Sequence, residues 1–451
     1  MTVSNVRPTQ SHRLFPLVAA SLIVGFLLPI ALILGPVSGG GESRMTGAAL
    51  LGWGIGWELI AVLSLRFTGE PQRWAVLPAA ILGVSGLLLI AFAPGKAAMD
   101  QLSWVWPVPV LMLAIWLIVQ VRRDVPGRSR WLIYPVLGAF ALLAVGGAIE
   151  KVAEVGDGGQ YGTDGEMIDV GGHKLFISCT GTGSPTVVLQ SGLGQGEAYW
   201  ARIAPQAAAT TRVCAYDRAG RGRSEPASAP QDGAAIARDL HALLAASGNH
   251  GPYVLAAHSS GGVYARFFAA AYPDEVAGMV LLDAQSPHTT SAPAGDQSAQ
   301  GSINALSGML PSLARVGFVR LVTSADPGGL PPAATARRHA EEATPQGAWS
   351  FGDEFAHLDG ILDAASDLPD LGDRPLIVVT AASQMDGGWM DQQDRLATLS
   401  TDTSHRVFAD LTHISLIESA PGATAASDAI VDVVTSVRSG TRLDGSAASR
   451  R

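Results

Sequence analysis

The chain has 451 residues, of which 48% are hydrophobic and only 15% charged, with a mean hydropathy of +0.26. That is long enough for more than one domain and too apolar for an ordinary soluble protein. A net charge of −9, with no large basic patch, excludes a nucleic-acid-binding role.

The apolar excess is concentrated in residues 1–150, which read as a transmembrane helical domain. Five apolar segments, about 14–35, 47–65, 74–93, 104–121 and 131–149, each approach the roughly 20 residues a helix needs to cross a bilayer. Leu14 to Gly35 is too long for the apolar core of a signal peptide and is kept as a span. Arg7 and Arg13 precede the first span, and Arg66 and Arg73 lie between the second and third. Arg122, Arg123, Arg128 and Arg130 lie between the fourth and fifth, whereas the alternate loops carry only Arg44 and Lys96. Basic loops stay cytoplasmic, so five spans predict that everything after Ile149 is extracytoplasmic. Trp74, Trp104, Trp106 and Trp131 lie near span ends, as an interfacial belt requires. Glu58, inside the second span, is a candidate intramembrane acid, but one carboxylate without an evident basic partner does not make a transporter. The Gly52-x-Gly54-x-Gly56 run reads as a helix-packing face.

Residues 151–164 read as a linker. Beyond it the pattern alternates between strands and helices. Met167–Val170 and Lys174–Cys179 around Gly171-Gly172 predict a hairpin. Thr186–Leu189 and Arg212–Tyr216 predict buried strands, and Asp232–Ala246 a helix. Val276–Leu282, Leu376–Thr380 and Arg406–Phe408 predict further strands. Such alternation implies a mostly parallel sheet covered by helices.

The most informative stretch is Val254 to Gly262. An apolar strand runs into Ala257-His258-Ser259-Ser260-Gly261, followed by a helical pattern. A serine at the apex of a sharp strand-to-helix turn has its hydroxyl exposed, and small flanking residues let strand and helix approach closely. Ser260 is rejected as the nucleophile because His258 would then fill a slot that requires a small side chain.

Residues 165–440 resemble the α/β-hydrolase fold family of serine hydrolases. Ser191-Gly192-Leu193-Gly194 resembles its oxyanion loop. Asp217-Arg218-x-Gly220-x-Gly222-x-Ser224 resembles its D-x-R-G-x-G-x-S turn. Ala257 to Gly262 resembles G-H-S-x-G-G, and Leu411-Thr412-His413 with Glu418 resembles the segment that carries the base. The departures are Ser191 for His, Ala257 for Gly and Thr412 for Gly. The resemblance implies Ser259 as nucleophile and His413 as base, since a serine hydroxyl needs a neighbour to take its proton. The acid is Asp283, after Val276–Leu282, or Asp386, after Leu376–Thr380, with Asp283 preferred. The backbone N–H groups of Leu193 and Ser260 are the expected oxyanion donors. Serine rather than aspartate at position 259 excludes epoxide hydrolase and haloalkane dehalogenase chemistry. It points to acyl transfer instead: hydrolysis of an ester, thioester or amide, with a small molecule or lipid as substrate.

In this fold residues 284–374 form the cap. Met309, Leu310, Leu313, Val316, Phe318, Val319 and Leu321 are expected to pack it on the core, with an acyl-chain surface as the sharper reading. The resemblance makes the strands carrying Cys179 and Cys214 neighbours, which leaves two readings: a cross-strand disulfide, stable outside the cytoplasm, or two buried free thiols. No cofactor is implied, and no residues have metal-site spacing. Residues 441–451 read as a disordered tail. The rival reading is a catalytically inactive binding or sensor module on a membrane anchor.

Overall fold

The computed structural model describes residues 14–37, 39–158, 164–287, 307–383 and 387–443. Its contacts divide the chain into two units, Met1–Val155 with Gly295–Leu321, and Gly156–Ala294 with Val322–Arg451.

The first unit is helical. Its elements are α1 (Leu14–Leu34), α2 (Gly41–Phe67), α3 (Val76–Phe92), α4 (Lys96–Ser103), α5 (Pro107–Asp124) and α6 (Arg130–Asp157). Four helices are long and apolar enough to cross a membrane. A fifth span results if α4 and α5, bent by 51° at their junction, count as one. The expected glycine face is visible: a Cβ at Gly52 would lie 2.4 Å from Pro29 Cδ, and one at Gly56 2.8 Å from Gly25 Cα. Gly54 faces the other neighbour, where a Cβ would lie 2.6 Å from Gly83 N. Small residues thus let α2 approach both α1 and α3. Glu58 is exposed on α2, whereas Trp57 beside it is buried edge-on against Trp74.

Two findings differ from expectation. Helix α6 continues to Asp157, through the first part of the expected linker, with a Lys151–Glu154 pair one turn apart. The segment holding α10 (Leu310–Arg315) and the start of α11 (Phe318–Ala325), expected within the cap, belongs to the helical unit. Arg315 explains this. Its guanidinium pairs with Glu42 and Asp100 and donates to Ser103 Oγ at 2.9 Å. Arg320 grips Glu150 with two bonds of 2.6 and 2.8 Å, and Gly146 allows Val316 O to approach its backbone.

The second unit is an eight-stranded sheet with helices on both faces. The strands are β1 (Glu166–Asp169), β2 (Lys174–Thr180), β3 (Thr186–Gln190), β4 (Val213–Tyr216), β5 (Tyr253–His258), β6 (Val276–Leu282), β7 (Leu376–Ala381) and β8 (Thr403–Phe408). Their order is β1-β2-β4-β3-β5-β6-β7-β8, antiparallel through β2–β4 and parallel from there on. Strands β3 and β5 are buried at every position because helices cover both faces, which is why they read as continuous apolar runs. α7 (Ile203–Ala208) and α16 (Ala420–Ser439) pack on one face. α8 (Gly233–Ala246), α9 (Gly261–Ala271) and α14 (Gly387–Ala397) pack on the other. α12 (Pro332–Ala343) and α13 (Pro345–Ala364) precede β7, and α15 (Ser415–Glu418) precedes α16. Cys179 and Cys214 lie directly opposite one another on β2 and β4 and are disulfide-bonded. The tail from residue 444 lies outside the described residues.

Candidate active site

The carboxyl ends of β3, β5, β6 and β7 converge, as open parallel sheets place their sites. Ser259 follows β5 directly and adopts φ 56°, in the left-handed region that non-glycine residues rarely occupy. Strain of this kind persists only where the surroundings hold it. Here Ser259 N donates to Leu282 O, and Ser259 O accepts from Gly262 N and Gln285 N. Close packing forces small residues around the turn. A Cβ at Gly261 would lie 2.3 Å from Gln190 O, and one at Gly262 2.5 Å from Ala284 Cβ. Ala257, in the slot usually held by glycine, is fully buried.

Asp283 follows β6 and also adopts a positive φ, 47°. Its carboxylate has no exposed surface and receives three donors. Ala381 N and Trp389 Nε1 bond Oδ1 at 3.1 and 2.9 Å, and His413 Nδ1 bonds Oδ2 at 2.6 Å. His413 lies in the loop between β8 and α15 and stays part-exposed. A buried carboxylate on Nδ1 holds that nitrogen protonated and leaves Nε2 as the basic one. Asp386 lies outside the described residues. Trp389, at the start of α14, was not singled out from sequence; its place shortly after β7, beside Asp283, becomes evident only from the fold.

His258 is fully buried beside His413, with ring centroids 4.5 Å apart. Its Nε2 lies 3.1 Å from His413 O and its Nδ1 3.0 Å from Gln195 Oε1. Burial, reinforced by the neighbouring His413, holds the His258 pKa well below the usual histidine range. His258 links the His413 loop to the loop after β3.

That loop carries Leu193. A Cβ at Gly192 would lie 2.8 Å from Ser259 Cβ, so glycine lets the loop backbone lie against Ser259. Among the described residues, no protein acceptor takes the N–H of Leu193 or of Ser260. Ser191, where the resemblance expects His, accepts from Trp200 Nε1 at 2.7 Å and so has a structural role. Arg218 is buried under the loop and paired with Glu354 of α13. Burial opposes the charge on both, but each overcomes that penalty through its partner, so the arginine pKa is raised and the glutamate pKa lowered. Glu418 bonds Gly329 N and Arg338, tying α15 to the residues around α12.

A family model described as alpha/beta hydrolase fold matches residues 185–320, and the sheet order of the second unit is that of this fold. A lipase of Mycobacterium tuberculosis, LipV, is 39% identical over 110 residues, 24% of this chain and 41% of that protein. An uncharacterised protein of Schizosaccharomyces pombe is 41% identical over 93 residues, 21% of this chain and 17% of its own length. The chain therefore spans less than half of each of these curated relatives. A thermophilic esterase of Thermogutta terrifontis superposes on 61% of the chain, over 99% of its own, at 22% identity and TM-score 0.47.

Proposed function

We propose that this chain is a membrane-anchored serine hydrolase that cleaves an acyl ester, thioester or amide through Ser259, His413 and Asp283, with its catalytic domain outside the cytoplasm. The observation that carries this reading is the 2.6 Å bond from His413 Nδ1 to the buried Asp283, with Ser259 on the strained turn after the neighbouring strand. In this reading His413 Nε2 takes the Ser259 proton as Oγ attacks the acyl carbonyl. Asp283 stabilises the imidazolium, and the N–H groups of Leu193 and Ser260 receive the developing oxyanion. Collapse passes the proton to the leaving group and leaves an acyl-enzyme, which water, activated by the same histidine, hydrolyses.

Similarity to a lipase supports a carboxylic ester as the substrate, and the apolar helices support a substrate met at a membrane surface. The full-length protein, solubilised in detergent and treated with a fluorophosphonate probe, tests the reading. The expected result is labelling of the wild type, lost in Ser259→Ala and His413→Ala. A folded wild type that stays unlabelled would refute it.

A further inference from the structure

The loop between β3 and Ala198 has an unusual distribution of hydrogen bonds. Ser191 O accepts from Arg218 Nη1 at 2.6 Å. Gly192 N donates to Gln195 Oε1, and Gly192 O accepts from Arg218 Nη2 at 2.7 Å and from Gln195 N at 3.1 Å. Gly194 N donates to Glu354 Oε2 at 2.8 Å. The groups on either side of Leu193 N–H are therefore engaged, while no protein acceptor among the described residues takes that N–H itself.

The carbonyl gripped by Arg218 and the Leu193 N–H belong to one peptide unit. That unit is planar and trans, so its C=O and N–H point in opposite directions. Fixing the oxygen from below fixes the direction of the hydrogen. A buried cation on the carbonyl also draws electron density through the amide and makes the N–H a stronger donor, because hydrogen bonds in series polarise one another at low dielectric. Arg218 is itself held: Glu354 receives its Nε and Nη2 at 3.0–3.2 Å, and the guanidinium lies 5.0 Å from the Tyr264 ring centre. Both partners are nearly sealed from solvent, with Arg218 4% and Glu354 7% exposed.

We propose that Arg218, held by Glu354 of helix α13, positions and polarises the Gly192–Leu193 peptide, so that α13 and the oxyanion donor form one unit. The inference rests on the serine-hydrolase reading. Arg218 touches neither substrate nor reacting atoms; it is a positioning residue and acts through the peptide. The Glu354–Gly194 bond gives α13 a second hold on the same loop, so displacement of α13 would loosen the donor.

The test uses the full-length protein in detergent, with wild type, Arg218→Lys and the charge-free double variant Arg218→Met/Glu354→Met. The double variant removes the Arg218 and Glu354 charges together; Arg221, whose Nε lies 3.7 Å from Glu354 Oε1, also loses that carboxylate, so a thermal melt accompanies the kinetics. The readouts are kcat and KM on a p-nitrophenyl ester, and the affinity of a trifluoromethyl ketone, which forms a tetrahedral adduct with an activated serine. The expected result is a kcat lowered about 10- to 100-fold, short of the roughly 10²–10³-fold loss on removing an oxyanion donor outright. Ketone affinity should fall by the same factor with KM little changed. A folded double variant with wild-type kcat and ketone affinity would overturn the inference. If the double variant does not fold, Arg218→Lys decides alone. One ammonium cannot hold both carbonyls and both carboxylate oxygens, so an unchanged ketone affinity in that variant would count equally against it. A wild type inert to fluorophosphonate removes the hydrolase reading and this inference with it. A reactive wild type with unchanged variants removes this inference only.

Discussion

Asp283 is the residue on which the candidate site turns. Its three donors leave the carboxylate no need of water, and the His413 bond sets the imidazole tautomer. Asp283→Asn keeps the shape but presents an amide to Nδ1, which favours the wrong tautomer. It should lower kcat by about 10⁴-fold with little change in melting temperature, the scale seen when a triad aspartate is neutralised. Ester turnover beside a thermal melt separates lost chemistry from lost fold. A second residue, Glu341 on α12, predicts a pH effect unconnected with catalysis. Its carboxyl is buried beside Asp217 and Glu197, with Glu342 adding to the repulsion and Arg337 opposing it, and its pKa lies well above the ordinary 4.5. The folded state therefore keeps a proton that the unfolded chain releases. Stability from this group is present below pH 4.5 and is lost as pH rises through the folded value. Glu341→Gln should raise the melting temperature at pH 8 and leave it nearly unchanged at pH 4.5, at about 2–4 °C per kcal/mol for a domain of this size. An equal effect at both pH values would contradict the assignment.

Elements differ in how far they were legible. The β1–β2 hairpin, the buried strands and the Ser259 turn were visible because local pattern and turn chemistry agree there. The pairing of Cys179 with Cys214 required the strand order of a known fold. Reduction of that disulfide, which closes a span of 35 residues, should lower stability by about 3–4 kcal/mol, read as a lower denaturant midpoint under dithiothreitol. What could not be read was contact across long sequence separation. Glu354 lies 136 residues from Arg218, and Trp389 lies 106 residues from Asp283, so nothing local marks either pair. The same limit explains α10, whose apolar residues suggested packing on the sheet. Its position is set by Arg315, which finds Glu42 273 residues earlier. Arg315→Ala would leave Glu42 buried without a partner, a loss of about 3–5 kcal/mol for a broken buried pair. Limited proteolysis should then cut around residues 307–321 in the variant before it cuts the wild type.

At the scale of the whole chain, the ion pairs of the helical unit bear on its orientation. Glu42, Asp100 and Glu150 lie at the start of α2, in α4 and towards the end of α6, and all three hold the segment that follows β6. The arginines concentrate at the opposite ends: Arg66 in the last turn of α2 and Arg73 before α3, Arg122 and Arg123 in the last turn of α5, and Arg128 just before α6 with Arg130 at its start. One end of the helical unit is thus basic and the other carries carboxylates matched to Arg315 and Arg320. Basic ends remain cytoplasmic, so the carboxylate end and the hydrolase unit are predicted to lie outside. A disulfide between Cys179 and Cys214 agrees with that side, since cytosolic reductants would keep the thiols apart. Alkaline phosphatase fused after Asp164 should be active, and a green fluorescent protein fused there should be dark. In spheroplasts, an external protease should reach the hydrolase unit without lysis. The reverse pattern would put the domain in the cytoplasm, and an even number of spans would follow, with α4–α5 as a re-entrant pair.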